Sequence, residues 1–165
     1  MQNFELAFAE RPDVFEAWKA LNASIKANMD LRRYELATLA AAQRLRSSYC
    51  SLAHGKVLLE QFGEPVAGIV RDRTAAGLDD VDLAVMALAE RVVDDASSIG
   101  DDDLRPLREL GLTDAEIMDV VLAAAARCFF SKTLDALGVL PDAAYRELPP
   151  DALDVLVVGR PIATA

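Results

Sequence analysis

The stretch Tyr34-Glu35-Leu36-Ala37-Thr38-Leu39-Ala40-Ala41-Ala42-Gln43-Arg44-Leu45-Arg46-Ser47-Ser48-Tyr49-Cys50-Ser51-Leu52-Ala53-His54-Gly55 decides how this chain is read. Its first part is built largely from strong helix formers, and Asp30 just ahead supplies an N-cap. A helix is therefore predicted over 31–46, with Leu31, Leu36, Leu39 and Ala40 facing inward. Ser47 or Ser48 caps the next helix, 48–62, which Gly63 stops. That start puts Cys50 in the first turn, where unpaired amide N–H groups and the helix dipole favour an anion. A thiol placed there has its pKa pushed below the free value of about 8.5, and the thiolate is the reactive form. His54, the only histidine in the chain, follows Cys50 by four residues, so imidazole and thiol share one face. Glu35 lies in an otherwise apolar run of the preceding helix. Burial there raises a carboxyl pKa and lets it exchange protons near neutrality. Each of these residues alone also suits an ordinary packing or surface position. Their joint spacing points to a nucleophilic or redox-active cysteine with a base and a proton-managing acid.

The flanking sequence continues the helical pattern. Alanine and leucine together supply 52 of the 165 residues. A helix over 13–28 carries Val14, Trp18, Leu21 and Ile25 on one stripe. Another, 65–76, is opened by Pro65 and ends near Gly77. Asp79 caps a helix over 80–96 with Val81, Val85, Leu88 and Val92 inward. The segment DDDLRPLRELG suggests a short helix in which Pro106 must lie near the start or break it. Thr113 and Glu116 form a capping box, with Leu112 and Ile117 as a hydrophobic staple, for a helix over 114–137 stopped by Gly138. The fold class is all-α: one compact helical domain over 1–142, followed by an arm over 143–165. The sequence from Val139 onward holds four of the seven prolines. Within the arm, VLVV is a weak candidate for a short edge strand.

Composition narrows the function classes. Apolar residues make up 53%, and acids outnumber bases 27 to 17 for a net charge of −10. Residues 1–78 carry 10 bases and 9 acids, whereas 79–165 carry 7 and 18. This balance argues against nucleic acid or an anionic membrane as partner, since both need a cationic face. No apolar run approaches the ~18 residues of a membrane span. The start, MQNFELAFAERPD, lacks the cationic flank and apolar stretch of a signal peptide, so a cytoplasmic protein with reduced thiols is expected. There is no Gly-rich phosphate loop, no H-E-x-x-H, no C-x-x-C and no G-x-S-x-G. One histidine and two cysteines make a poor zinc site. No cofactor and no metal are called for.

The spacing of Glu35, Ser47, Cys50 and His54 resembles the carboxymuconolactone decarboxylase / alkylhydroperoxidase D-like family. Its thiol-peroxidase members have a glutamate, C-x-x-C beginning twelve residues later, and a histidine four beyond the second cysteine. Ser47 stands where the first cysteine would be, and Cys50 matches the second. The resemblance extends to LRELGLTDAEIMDVVLAAAARCFFSKTLDALGV and covers about residues 15–142. It implies a peroxiredoxin-like hydroperoxide reductase in which Cys50 attacks the peroxide and becomes a sulfenic acid. His54 and Glu35 would manage protons, and Ser47 would hydrogen-bond the sulfur or cap the helix. With Ser47 in place of a thiol no intrahelical disulfide can form. The reductant is then an external thiol, unless Cys128, mid-helix beside Phe129, acts as resolver.

Two alternatives stay open. A decarboxylase-like lyase of the same family would use His54 and Glu35 without the thiol, with Arg32, Arg33, Arg44 or Arg46 holding an anionic substrate. A non-catalytic helical scaffold would use none of them. The segments VMALA, VVLAAAA and VLVV are hard to bury in a lone chain of this size, so a homo-oligomer is expected. Family members that assemble as dimers, trimers or hexamers agree with this. Light scattering at micromolar concentration should give a multiple of the chain mass; a monomer would contradict the expectation.

Overall fold

A computed structural model describes residues 1–164. Its helices are α1 (Asn3–Ala7), α2 (Pro12–Ala27), α3 (Leu31–Arg44), α4 (Ser48–Phe62), α5 (Val66–Arg71), α6 (Asp80–Asp95), α7 (Asp101–Glu109), α8 (Asp114–Ala136) and α9 (Pro150–Leu156). Short 3-10 turns occupy Ala96–Ser98 and Ala143–Glu147. There is no strand among the described residues: the first two residues of VLVV finish α9 instead.

The centre is α3. Every residue from Tyr34 to Ala42 is buried, and the helix packs against α4, α6 and α8. Ala37, Ala40, Ala41 and Ala42 leave little side-chain bulk, so these three neighbours close in around it. Leu36 and Leu39 point inward as expected, but Leu31, the first residue of α3, is 36% exposed. Leu21 on α2 likewise faces solvent rather than the core, at 52% exposure.

Local signals set most helix ends. Asp30 Oδ1 accepts the Arg33 N–H at 2.9 Å, and Asp79 Oδ1 accepts that of Asp82 at 2.7 Å. At α8 the reciprocal pair forms: Glu116 N–H donates to Thr113 Oγ1 (3.2 Å) and Thr113 N–H to Glu116 Oε2 (2.8 Å). Leu112 and Ile117 both join the main core. Gly63 and Gly138 take φ of 67° and 75°, the left-handed conformation that ends α4 and α8 at low cost.

Further local expectations are corrected, and one element was not foreseen. The helix predicted over 65–76 stops at Arg71, because Asp72 Oδ1 accepts the N–H groups of Thr74 (3.0 Å) and Ala75 (3.1 Å) and turns the chain. Pro106 neither starts nor breaks its helix, since α7 runs through it. Pro106 and Asp102 are both exposed, so the carbonyl four residues back that loses its partner can meet water. The sequence reading missed α1, whose Phe4 packs edge-on against Tyr49 and Phe130, each with ring centres 5.8 Å apart.

The segment after residue 142 contributes Leu148, Ala152, Leu156 and Ile162 to the main core, and α9 packs on α4 and α5. It also braces the start of α4. Gly159 N–H donates to Ser48 Oγ at 2.8 Å, and a Cβ on Gly159 would lie 2.1 Å from the Arg46 carbonyl oxygen. Arg46 itself holds a left-handed φ of 56°. Only glycine fits this approach. Gly159→Ala should therefore cost about 1–3 kcal/mol, read as a lowered midpoint in chemical denaturation; an unchanged midpoint would contradict the contact.

Candidate active site

The turn between α3 and α4 delivers Cys50 to the third position of α4, where it is 1% exposed. Ser47 is the backbone N-cap and is fully buried, but its hydroxyl caps nothing and makes no hydrogen bond among the described residues. Its ψ of 99° is below the 128°, 160° and 168° at the Asp30, Thr113 and Asp79 caps, which do reach their amides. The expected cap or sulfur contact from Ser47 is therefore not made. The Ser48 hydroxyl does not cap α4 either and instead serves Gly159.

One turn on, His54 meets Glu35 across the α3–α4 contact, Nδ1 to Oε2 at 2.6 Å. Lys26 of α2 reaches the other oxygen of Glu35, Nζ to Oε1 at 3.0 Å. Burial alone would push the Glu35 carboxyl upward, but the hydrogen bond and charge of His54, then those of Lys26, outweigh it and leave it below its ordinary value. This reverses the rise expected from burial. His54 goes down to about 4, driven first by burial and next by the positive charge of Arg127, with Glu35 opposing. Near neutral pH the pair is a carboxylate beside a neutral imidazole. A carboxylate only accepts, so Nδ1 carries the hydrogen and Nε2 keeps its lone pair. Nε2 is buried and has no partner among the described residues.

The residue that sequence reasoning missed is Arg127 of α8. It is 3% exposed, yet makes no ion pair with a carboxylate among the described residues. Its Nη1 donates to Cys50 Sγ at 3.7 Å, and its Nη2 donates to the Tyr34 hydroxyl at 3.3 Å. Tyr34 in turn donates to Asn22 Oδ1 at 2.7 Å. The guanidinium carbon lies 5.9 Å from the Trp18 ring centre and 5.6 Å from that of Phe130, and these two rings stack at 3.9 Å. A signal existed in the sequence: Arg127 is the only charge between Asp119 and Lys132. A lone cation in so apolar a run has to be buried or on a bare surface.

Cys50, His54, Arg127 and Tyr34 line one cavity of about 340 Å³, with walls from Phe4, Trp18, Tyr49, Phe130 and Tyr145. The arginines expected to hold an anion lie elsewhere. Arg32 and Arg33 pair with Asp82 (2.5 and 3.2 Å), Arg44 pairs with Asp94, and Arg46 is exposed in the turn. Cys128 is half-buried, its thiol pushed up by burial, and it does not line this cavity. No group of three or more His, Cys, Asp and Glu side chains converges as a metal site would among the described residues. No helix is long and apolar enough to cross a membrane.

Compared as a sequence, the chain matches no family model and no curated protein. Compared as a fold, it matches solved structures over most of its length. One is the alkylhydroperoxidase AhpD core of an uncharacterized peroxidase-related protein from Ralstonia eutropha JMP134, with TM-score 0.80 and 22% identity over 88% of this chain and 79% of that one. Another is an uncharacterized peroxidase-related protein from Silicibacter sp. TM1040, with TM-score 0.78 and 20% identity over 86% and 76%. The class of fold is thus the all-α alkylhydroperoxidase D-like core, as the spacing around Cys50 led us to expect.

Burial of His54 beside the Arg127 charge makes acid destabilising. A group whose folded pKa lies below its unfolded value binds fewer protons in the native state, so stability falls as pH drops from the unfolded 6.5 of His54 toward about 4. Glu35 adds to this loss as pH falls through its ordinary 4.5. Urea midpoints should decline between about pH 6.5 and 5, and His54→Gln should flatten that decline. A wild-type curve level over this window would contradict a neutral imidazole buried beside Arg127.

Proposed function

We propose that this chain is a thiol-dependent hydroperoxide reductase of the alkylhydroperoxidase D-like family, with Cys50 as the attacking sulfur. The observation that carries this reading is the buried Arg127 guanidinium donating to Cys50 Sγ, with no carboxylate to balance it. A developing sulfur anion is the counter-charge such a site favours. The unpartnered Nε2 of His54 lies on the same face of α4 and provides the base. The peroxidase-related descriptions of the two fold relatives agree with this assignment.

In the first step Nε2 takes the thiol proton, and Glu35 steadies the imidazolium through Nδ1. Sγ then attacks the terminal peroxide oxygen, the O–O bond breaks, and its electron pair leaves on the alkoxide. His54 returns the proton to that alkoxide. The balance is thiol plus hydroperoxide giving sulfenic acid plus alcohol. Ser47 occupies the position of a partner thiol and cannot form a disulfide. Two equivalents of an external thiol therefore reduce the sulfenic acid, giving a disulfide, water and free Cys50.

Brief exposure to hydroperoxide followed by mass spectrometry with each thiol mapped should place one added oxygen on Cys50 well before Cys128. Cys50→Ser should abolish peroxide consumption, and His54→Ala should slow it by about a hundred-fold. Equal, slow oxidation of both thiols would overturn the reading. Turnover of a lactone or oxo-acid that survives Cys50→Ser but not His54→Ala would assign lyase chemistry instead.

A further inference from the structure

The cavity at Cys50 is far larger than hydrogen peroxide needs. About 340 Å³ falls in the range of sites for small organic molecules. Its walls are aromatic: Phe4, Trp18 and Phe130 present three ring systems, and the indole Nε1 of Trp18 is buried without a partner among the described residues.

Charge adds a second constraint. The chain carries 27 acids and a net charge of −10, yet among the described residues no Asp or Glu lines this cavity, while Lys26, Lys56 and Arg127 do. Glu35 lies behind, shared between Lys26 and His54. Glu60 pairs with Lys56 only at 3.5 Å on an exposed helix face, an interaction of little strength. The three cations differ in depth: Arg127 is at the sulfur, whereas both lysine side chains are 40% exposed. Lys56 follows Cys50 by six residues on α4, about 9 Å of helix rise. Both side chains line the one cavity, so a ring carrying a reacting group at one end and an anion at the other can meet both.

Building on the peroxidase reading, we infer that the cavity selects organic hydroperoxides with an aromatic or branched apolar body and a carboxylate. The body packs on Trp18 and Phe130, the carboxylate rests on Lys56, and the peroxide meets Cys50 under Arg127. Sγ takes the terminal oxygen, and the carboxylate-bearing alcohol leaves after receiving the proton from His54.

Trp18 is the only tryptophan, so its fluorescence reports occupancy without any turnover. Titration with 4-isopropylbenzoate and with its neutral amide should show the carboxylate binding about ten-fold more tightly. That preference should fall toward parity in Lys56→Gln and at high salt. In parallel, Cys50 should be oxidised faster by para-carboxylated cumene hydroperoxide than by cumene hydroperoxide. Equal binding of benzoate and amide overturns the inference even where Cys50 reacts with every peroxide offered. Selective benzoate binding with Cys50 inert to all peroxides overturns the peroxidase reading, and the hydroperoxide part of the inference with it.

Discussion

A guanidinium taken out of water without a carboxylate partner is costly, and the site is arranged around one. Arg127 is held by a sulfur, a phenol oxygen and the faces of two aromatic rings. Replacing a buried charge with an apolar side chain of similar size is often neutral or stabilising. Its benefit therefore lies in what it does to its neighbours. It keeps His54 neutral in the resting site, with Nε2 free to take a proton, and offers a counter-charge to the sulfur of Cys50. Lys26 and Glu35 neutralise one another alongside, so the cation next to the sulfur is the one left uncompensated.

The rest of the molecule keeps these groups in register. The alanine-rich α3 lets α4 and α8 approach from two sides, which brings Cys50 and Arg127 together even though 77 residues separate them. At the start of α4 the chain is pinned by Gly159 against the Arg46 carbonyl and the Ser48 hydroxyl. A second tie runs through Asp142, which accepts from the Tyr49 hydroxyl and from the Asn3 N–H at 2.9 Å. Both ends of the chain thus bear on the helix that carries the thiol. An N-terminal turn this firmly held can keep its amides and its side chains aimed at one place.

What was legible in the sequence was local. Asp30, Asp79 and the Thr113–Glu116 box act within one turn, and each caps its helix as read. The four-residue spacing of Cys50 and His54 puts both in one cavity, and Glu35 does meet His54. What failed depended on distant partners. The direction of the Glu35 shift turned on Lys26 and His54, which burial alone does not reveal. Ser47 is the local exception: it stands at the N-cap with the right side chain, but its hydroxyl accepts from no amide of α4. Leu21 and Leu31 follow the helical period, yet no neighbouring element covers them. Arg127 was visible as a lone charge among alanines, but its contact with the sulfur comes only from the packing of α8 on α4.

The most direct test is the second-order rate constant for peroxide oxidation of Cys50 in Arg127→Met, whose side chain is close in size and leaves the core filled. If the guanidinium serves the sulfur, this constant falls by about a hundred-fold or more while the variant folds at least as stably as the parent. An oxidation rate equal to the parent's in a well-folded variant would show that Arg127 is only part of the packing, and the account would be wrong.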